Sequence, residues 1–181
     1  MLEIIVPAIE AFDESSSEFK EVLPAVKLEL EHSLVVLSKW EKKFKKPFLS
    51  KEHKTPEEVF GYVEAMIQTP SYPENILQRM TQTNLDAINE YIESTESATT
   101  FRELPKKPGN HEIVTSELIY YWMVAFNIPA EYENWHLNRL FSLIRIASIK
   151  NSKPTKQSRS QMADERRRAN EQRRQQLNTT G

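Results

Sequence analysis

The stretch that most constrains the fold is TSELIYYWMVAFNI, residues 115–128, because it is apolar on nearly every side. Its length and composition favour a helix, which Pro129 ends. A helix without a polar face has to be covered all round, so we predict that it lies at the centre of the fold. Residues 131–150 have apolar positions at helical spacing and predict a long amphipathic helix packed beside it.

Aromatic residues crowd this predicted helical hairpin between Tyr120 and Trp135. Three interpretations are open: a hydrophobic core, a groove for a partner protein, or a platform that stacks nucleobases. Stacking needs exposed rings among Lys and Arg, whereas the neighbours here are acidic or amide residues (Asn127, Glu131, Glu133 and Asn134). Core packing is therefore favoured. If Trp122 is buried, its replacement with Ala should cost roughly 3–5 kcal/mol.

Patterns elsewhere predict further helices and a small β element. Apolar spacing indicates helices in three regions (26–44, 55–68 and 83–94), with a short helical turn after Pro73. Thr55, Pro56 and Glu58 have the order of an N-cap, a first helical residue and a capping-box residue. The apolar stripes assign Val59 and Ile149, among others, to the core.

The first 25 residues favour β structure. Residues 2–6, LEIIV, predict a strand, and residues 11–23 predict a β-hairpin around a polar centre. The predicted fold is mainly α: a compact bundle of about five helices with a small N-terminal β-hairpin and a basic C-terminal helical or disordered tail.

Charge divides the chain into two parts. Residues 150–181 carry a net charge of +6, which leaves −8 for residues 1–149. Residues 151–161 have the composition of a linker, and residues 163–177 lack an apolar face with which to join a core. We predict a globular domain at 1–150 and a polar linker with a basic tail at 151–181. The tail could bind nucleic-acid phosphates, bind an acidic protein surface, or act as a solubilising extension.

Composition excludes several kinds of site. With only three glycines, the chain can form neither a G-x-G-x-x-G loop nor a Walker loop. The absence of cysteine excludes disulfides, thiol nucleophiles and Cys-ligated zinc. His136 is followed by Arg139 and Leu140 at the positions where a metal-binding helix carries its next ligand, so we expect a structural histidine. We expect no catalytic, cofactor-binding or metal-binding residues, and no enzyme activity.

The chain has the features of a soluble protein. Its N-terminus lacks the basic and apolar regions of a signal peptide. No apolar run approaches the roughly 18 residues that a transmembrane helix needs. These observations predict a cytoplasmic protein that does not insert into membranes.

The chain resembles the tail assembly chaperones of tailed bacteriophages, which are encoded among the tail genes. The resemblance rests on residues 28–49 (LELEHSLVVLSKWEKKFKKPFL), 115–129 (TSELIYYWMVAFNIP) and 133–146 (ENWHLNRLFSLIRI), with the N-terminal hairpin and the Arg-rich end. It implies a protein of the host cytoplasm that coats coiled-coil-forming stretches of the tape-measure protein until tail-tube subunits polymerise around them. It implies no cofactor and no catalytic residue. The tail-tube protein is a further candidate partner, and a homo-oligomer stays open.

Candidate partner-binding residues lie in two places: where apolar rings stand between lysines as a helix stops, and in the basic tail. They are three rings at the end of the first long helix and four arginines of the tail (Trp40, Phe44, Phe48, Arg166, Arg167, Arg168 and Arg173). The alternative for the rings is a hydrophobic cap on the core. Two other functions stay open: a structural virion component of the neck, tail-completion or baseplate kind, and a nucleic-acid-binding protein that uses residues 150–181.

Overall fold

A computed structural model describes residues 1–14, 17–101, 112–151, 163, 166–171 and 173–174 of the chain. The chain forms two compact units, residues 1–147 and 148–181. The described residues are mainly helical, and their strands lie in the first 30 residues. This confirms the mainly helical class with N-terminal β-hairpin structure.

Four strands form two consecutive two-stranded antiparallel sheets. They are β1 (Leu2–Val6), β2 (Ile9–Asp13), β3 (Glu18–Leu23) and β4 (Val26–Leu30). The strand predicted at residues 2–6 and the hairpin predicted at 11–23 are confirmed. β1 pairs with β4 to form an inner sheet, and β2 pairs with β3. We call the second pair the β2–β3 ribbon.

The helix predicted at residues 26–44 is wrong over its first part, because residues 26–30 form β4. Val26, Leu28 and Leu30 alternate with charged residues, which is the two-residue period of a strand with one buried face. Leu28 and Leu30 are fully buried opposite β1. The helix begins only after Ser33, whose side chain accepts a hydrogen bond from the amide of Val36.

The helices follow the strands along the chain. Their bounds are α1 (Leu34–Phe44), α2 (Pro56–Met66), α3 (Gln82–Glu93), α4 (Ser116–Ala125) and α5 (Leu137–Asn151), with 3-10 turns at Ile76–Arg79 and Ala130–Asn134. The capping box predicted at Thr55 and Glu58 is confirmed, with both of its hydrogen bonds present. The helical turn predicted after Pro73 is also confirmed.

The helix that occupies the centre of the core is α1. Leu34, Leu37 and Trp40 are at most 1% exposed, and α1 packs against both α2 and α4. The largest fully buried side chains of the core come from the inner sheet and from the helices (Leu28, Leu30, Leu34, Leu37, Trp40, Tyr62, Met66, Ile76, Ile88, Ile119, Leu137 and Leu140).

The prediction that residues 115–128 form a central helix covered all round is wrong. α4 buries one stripe, with Ile119 and Met123 at its centre, whereas Tyr121 is 65% and Val124 is 77% exposed. Trp122 is half-buried, as are the other rings of the cluster except Tyr121. The aromatic residues therefore rim the core, because a ten-residue helix packed on α1 presents its opposite side to solvent.

The single helix predicted at 131–150 is also wrong, because the chain is extended at Trp135 and His136. His136 pairs with Ser33 in a β-bridge, and the amide of Leu137 donates a 2.7 Å hydrogen bond to the oxygen of His32. These long-range bonds compete with helix formation and divide the region into a 3-10 turn and α5. Two predicted core residues are exposed as well, Val59 at 47% and Ile149 at 59%.

Candidate partner-binding surfaces

The rings predicted to contact a partner pack together beside α2. Trp40 is 1% exposed, and its Nε1 donates a 2.7 Å hydrogen bond to the backbone oxygen of Glu58. The centroids of Phe44 and Phe48 each lie 4.9 Å from that of Trp40, and Phe48 stacks on Tyr62 at 3.8 Å. The structure therefore favours core packing for Trp40. Contact of the half-buried Phe44 and Phe48 with a partner stays a prediction.

The arginines predicted to contact a partner belong to the second unit. The basic segment, as we define it, comprises five arginines (Arg166, Arg167, Arg168, Arg173 and Arg174). All five are exposed, and the described residues around them are helical. The predicted linker lies outside the described residues beyond residue 151. The role of the basic segment in binding stays a prediction.

Glu41 is a buried carboxylate that joins three parts of the first unit. Its side chain accepts hydrogen bonds from the backbone amides of Phe48, at 3.0 Å, and Ser116, at 2.7 Å. Ser116 begins α4, so the carboxylate also faces the positive end of that helix dipole. Both oxygens are occupied by backbone donors, which makes Glu41 a structural tie between α1 and α4.

His32 and His136 meet inside the first unit, with ring centroids 5.0 Å apart. The Nε2 of His136 donates to the backbone oxygen of Tyr91 at 2.9 Å, and its Nδ1 accepts from the amide of Asn138 at 3.3 Å. A neutral ring satisfies both bonds, so neither nitrogen offers a lone pair to a metal ion. This geometry agrees with the structural histidine expected from the sequence.

His32 also forms a hydrogen bond with Tyr62, and burial sets the charge of both groups. The Tyr62 hydroxyl and the Nδ1 of His32 are hydrogen-bonded at 2.7 Å. Burial, and then the neighbouring His136, lowers the pKa of His32 to about 4. Burial, and then the charge of Glu41, raises the pKa of Tyr62. Near neutral pH the pair is therefore an uncharged hydrogen bond that stabilises the junction between β4 and α2.

We expect His32 to remove about 2 kcal/mol from the unfolding free energy between pH 7 and pH 5. Its pKa in the folded chain, about 4, lies below the ordinary 6.5. As the pH falls, the unfolded chain binds the proton first, so stability is lost from about pH 6.5 down to about pH 4. Urea unfolding at both pH values measures the loss. His32→Gln should reduce the difference in unfolding free energy between the two pH values. His53→Gln, at an exposed position, should leave that difference unchanged. If His32→Gln loses as much stability between pH 7 and pH 5 as the unchanged protein, the loss does not come from His32.

An open groove of about 670 Å³ lies beside the start of α4 and the middle of α5. Its lining combines apolar residues with charged ones (Leu49, Lys51, Glu52, Glu112, Ile113, Val114 and Phe141, with Ser50). Leu49 is 37% and Ile113 is 57% exposed. We call this feature the apolar groove. It combines exposed aliphatic surface with charges of both signs, which is the surface that an amphipathic helix requires.

The β2–β3 ribbon is a second exposed surface. Phe12 is 53% and Phe19 is 70% exposed, and their rings meet edge to face at 5.3 Å. The register places Glu10 opposite Glu21, beside the Phe pair on the same face. Sequence reasoning predicted this hairpin but assigned it no function. The sequence signal for an exposed functional surface here is the clustering of acidic and aromatic residues in a segment without an apolar stripe.

Arg79 fixes the base of the ribbon. Its Nη2 donates hydrogen bonds to the backbone oxygens of Pro7, at 2.9 Å, and Pro24, at 2.6 Å. Pro7 lies where the backbone passes from β1 into β2, and Pro24 where it passes from β3 back into β4. The side chain is 9% exposed, and within the described part of the chain its Nε and Nη1 have no hydrogen-bond partner. Arg79 therefore ties both strands at one point.

Within the described ranges, no group of three or more His, Cys, Asp or Glu side chains could hold a metal ion. Every helix in that part of the chain is too short or too polar to cross a lipid bilayer. Comparisons with protein-family models, curated proteins and solved structures find no match to this chain.

Proposed function

We propose that this chain is a non-enzymatic tail assembly chaperone of a tailed bacteriophage, which binds the tape-measure protein and keeps it soluble during tail assembly. The observation that supports this proposal is the apolar groove. A tape-measure chain has long coiled-coil-forming stretches, whose apolar stripes promote aggregation while they are exposed. A chaperone has to cover such stripes and then release them to the tail tube.

The groove has the chemistry for reversible cover. A bound amphipathic helix would place successive apolar side chains against Leu49 and Ile113. Lys51 and Glu112 would pair with the charges that flank such a stripe. Full burial of one Leu or Ile side chain contributes about 1.5–3 kcal/mol, so a groove that accepts a few of them binds weakly. Many weak grooves along one tape-measure chain give tight overall cover that tail-tube subunits can displace.

We expect Ile113→Lys to weaken binding of a tape-measure fragment at least about 10-fold, because it places a charge where an apolar side chain must be buried. Ile113 is 57% exposed, so the fold should tolerate the change. Fluorescence anisotropy with a labelled coiled-coil fragment of the tape-measure protein measures the dissociation constant. Val124→Lys is the matched control, since Val124 is 77% exposed on α4 outside the groove. Equal affinity for Ile113→Lys and the unchanged protein would contradict the groove assignment.

The exposed arginines of the basic segment favour a second candidate, nucleic-acid binding. Such binding depends on neutralised phosphates and weakens steeply as salt rises. It would also disappear from a chain that ends at residue 150. Retention of the affinity for one short tape-measure fragment by that truncated chain, with loss of nucleic-acid binding, would separate the two activities.

A further inference from the structure

The β2–β3 ribbon has three features that each call for a covering group. A two-stranded sheet alone is marginally stable in water. Glu10 and Glu21 lie directly opposite each other, and like charges in that arrangement destabilise a strand pair. Phe12 and Phe19 expose more than half of their surface beside this pair. A partner that is cationic and can also cover aromatic rings would relieve all three.

The basic segment has that chemistry. Residues 9–23 carry a net charge of −4, whereas residues 151–181 carry +5. A guanidinium group forms paired hydrogen bonds with carboxylates and also stacks on aromatic faces. Arg166 and Arg173 are both exposed and both lie in helical residues of the basic segment. One arginine could contact the Glu pair while the other covers a Phe ring.

We propose that the β2–β3 ribbon of one copy binds the basic segment of a second copy. The two surfaces are complementary but different, so their association is head to tail and can continue from copy to copy. The choice of a second copy rests on the proposed function, because an array of copies presents repeated apolar grooves to a long tape-measure chain. The ribbon and the basic segment are then the contacts that make a weak single groove effective.

Sedimentation velocity of the full chain in low salt tests the proposal. The ribbon variant is Glu10→Lys with Glu21→Lys. The tail variant reverses four arginines to Glu (Arg166, Arg167, Arg168 and Arg173). The unchanged protein should self-associate, and each variant alone should associate at least about 10-fold more weakly, since like charges then face each other. An equimolar mixture of the two variants should form complexes again, because each supplies the charge that the other requires.

Two controls keep the outcome specific. Glu90→Lys with Glu93→Lys makes the same charge change at exposed positions of α3 and should leave self-association unchanged. Phe12→Ser with Phe19→Ser removes the rings without altering charge and should also weaken association. Circular dichroism checks that every variant is folded. A monomeric unchanged protein at 200 μM, or a variant mixture that stays monomeric, overturns the proposal. The sedimentation experiment contains no tape-measure protein, so its result does not depend on whether the apolar groove binds that protein.

Discussion

Trp40→Ala is expected to lower the free energy of unfolding by about 3–5 kcal/mol. The side chain is 1% exposed and contacts the rings of Phe44 and Phe48, so its removal leaves a large cavity. It also removes the indole donor to the backbone oxygen of Glu58 in α2. Because α1 is central to the core, the surrounding helices cannot close that cavity without losing their own contacts. Urea unfolding followed by far-UV circular dichroism measures the loss.

The matched control for this prediction is Trp122→Ala. Trp122 is half-buried at the edge of the core, so its loss should cost about 1–2 kcal/mol, because less apolar area is withdrawn from water. Equal losses for the two variants would mean that the core is not centred on α1. A loss below about 1 kcal/mol for Trp40→Ala would show that its ring is accessible, and would favour the original prediction of a partner contact.

Glu41→Ala is expected to cost about 3–5 kcal/mol, since hydrogen bonds to a charged acceptor contribute about 1.5–3 kcal/mol each. The substitution leaves the buried amide of Ser116 and the part-buried amide of Phe48 without their acceptor. Hydrogen exchange should then accelerate most at Ser116, the first residue of α4. Glu90→Ala, at an exposed position of α3, should change the unfolding free energy by less than about 0.5 kcal/mol. If Glu41→Ala leaves the hydrogen-exchange protection of the Ser116 amide unchanged, Glu41 is not the group that holds the start of α4.

Local patterns predicted the elements whose stabilising contacts are close in sequence. The capping box of α2 lies within four residues, and its start was predicted at the correct residue. The error at residues 26–30 has a physical cause: Val26 and Leu30 fit both a strand period and a helix period. Pairing with β1, 20 to 28 residues earlier, decides in favour of the strand.

Features that depend on distant partners could not be predicted in this way. The break before α5 comes from the backbone pairing of His136 and Leu137 with Ser33 and His32, more than one hundred residues earlier. Gly61 was counted only as one of three glycines. In the structure a Cβ at this position would lie 2.8 Å from two carbons of the Phe44 ring, so glycine allows α2 to approach α1. The apolar groove likewise combines residues 49–52, 112–114 and 141.

Binding to the tape-measure protein followed by release is the central claim, and affinity capture in phage-infected cells tests it most directly. Tagged full-length chain and its Ile113→Lys variant are recovered during tail assembly, and their partners are identified by mass spectrometry. Purified virions are searched for the tagged chain in the same experiment. The chaperone proposal predicts that the full-length chain captures the tape-measure protein, that Ile113→Lys captures much less, and that virions lack the chain. Stoichiometric chain in purified virions, or no tape-measure protein in the capture, would contradict it and favour a structural virion component.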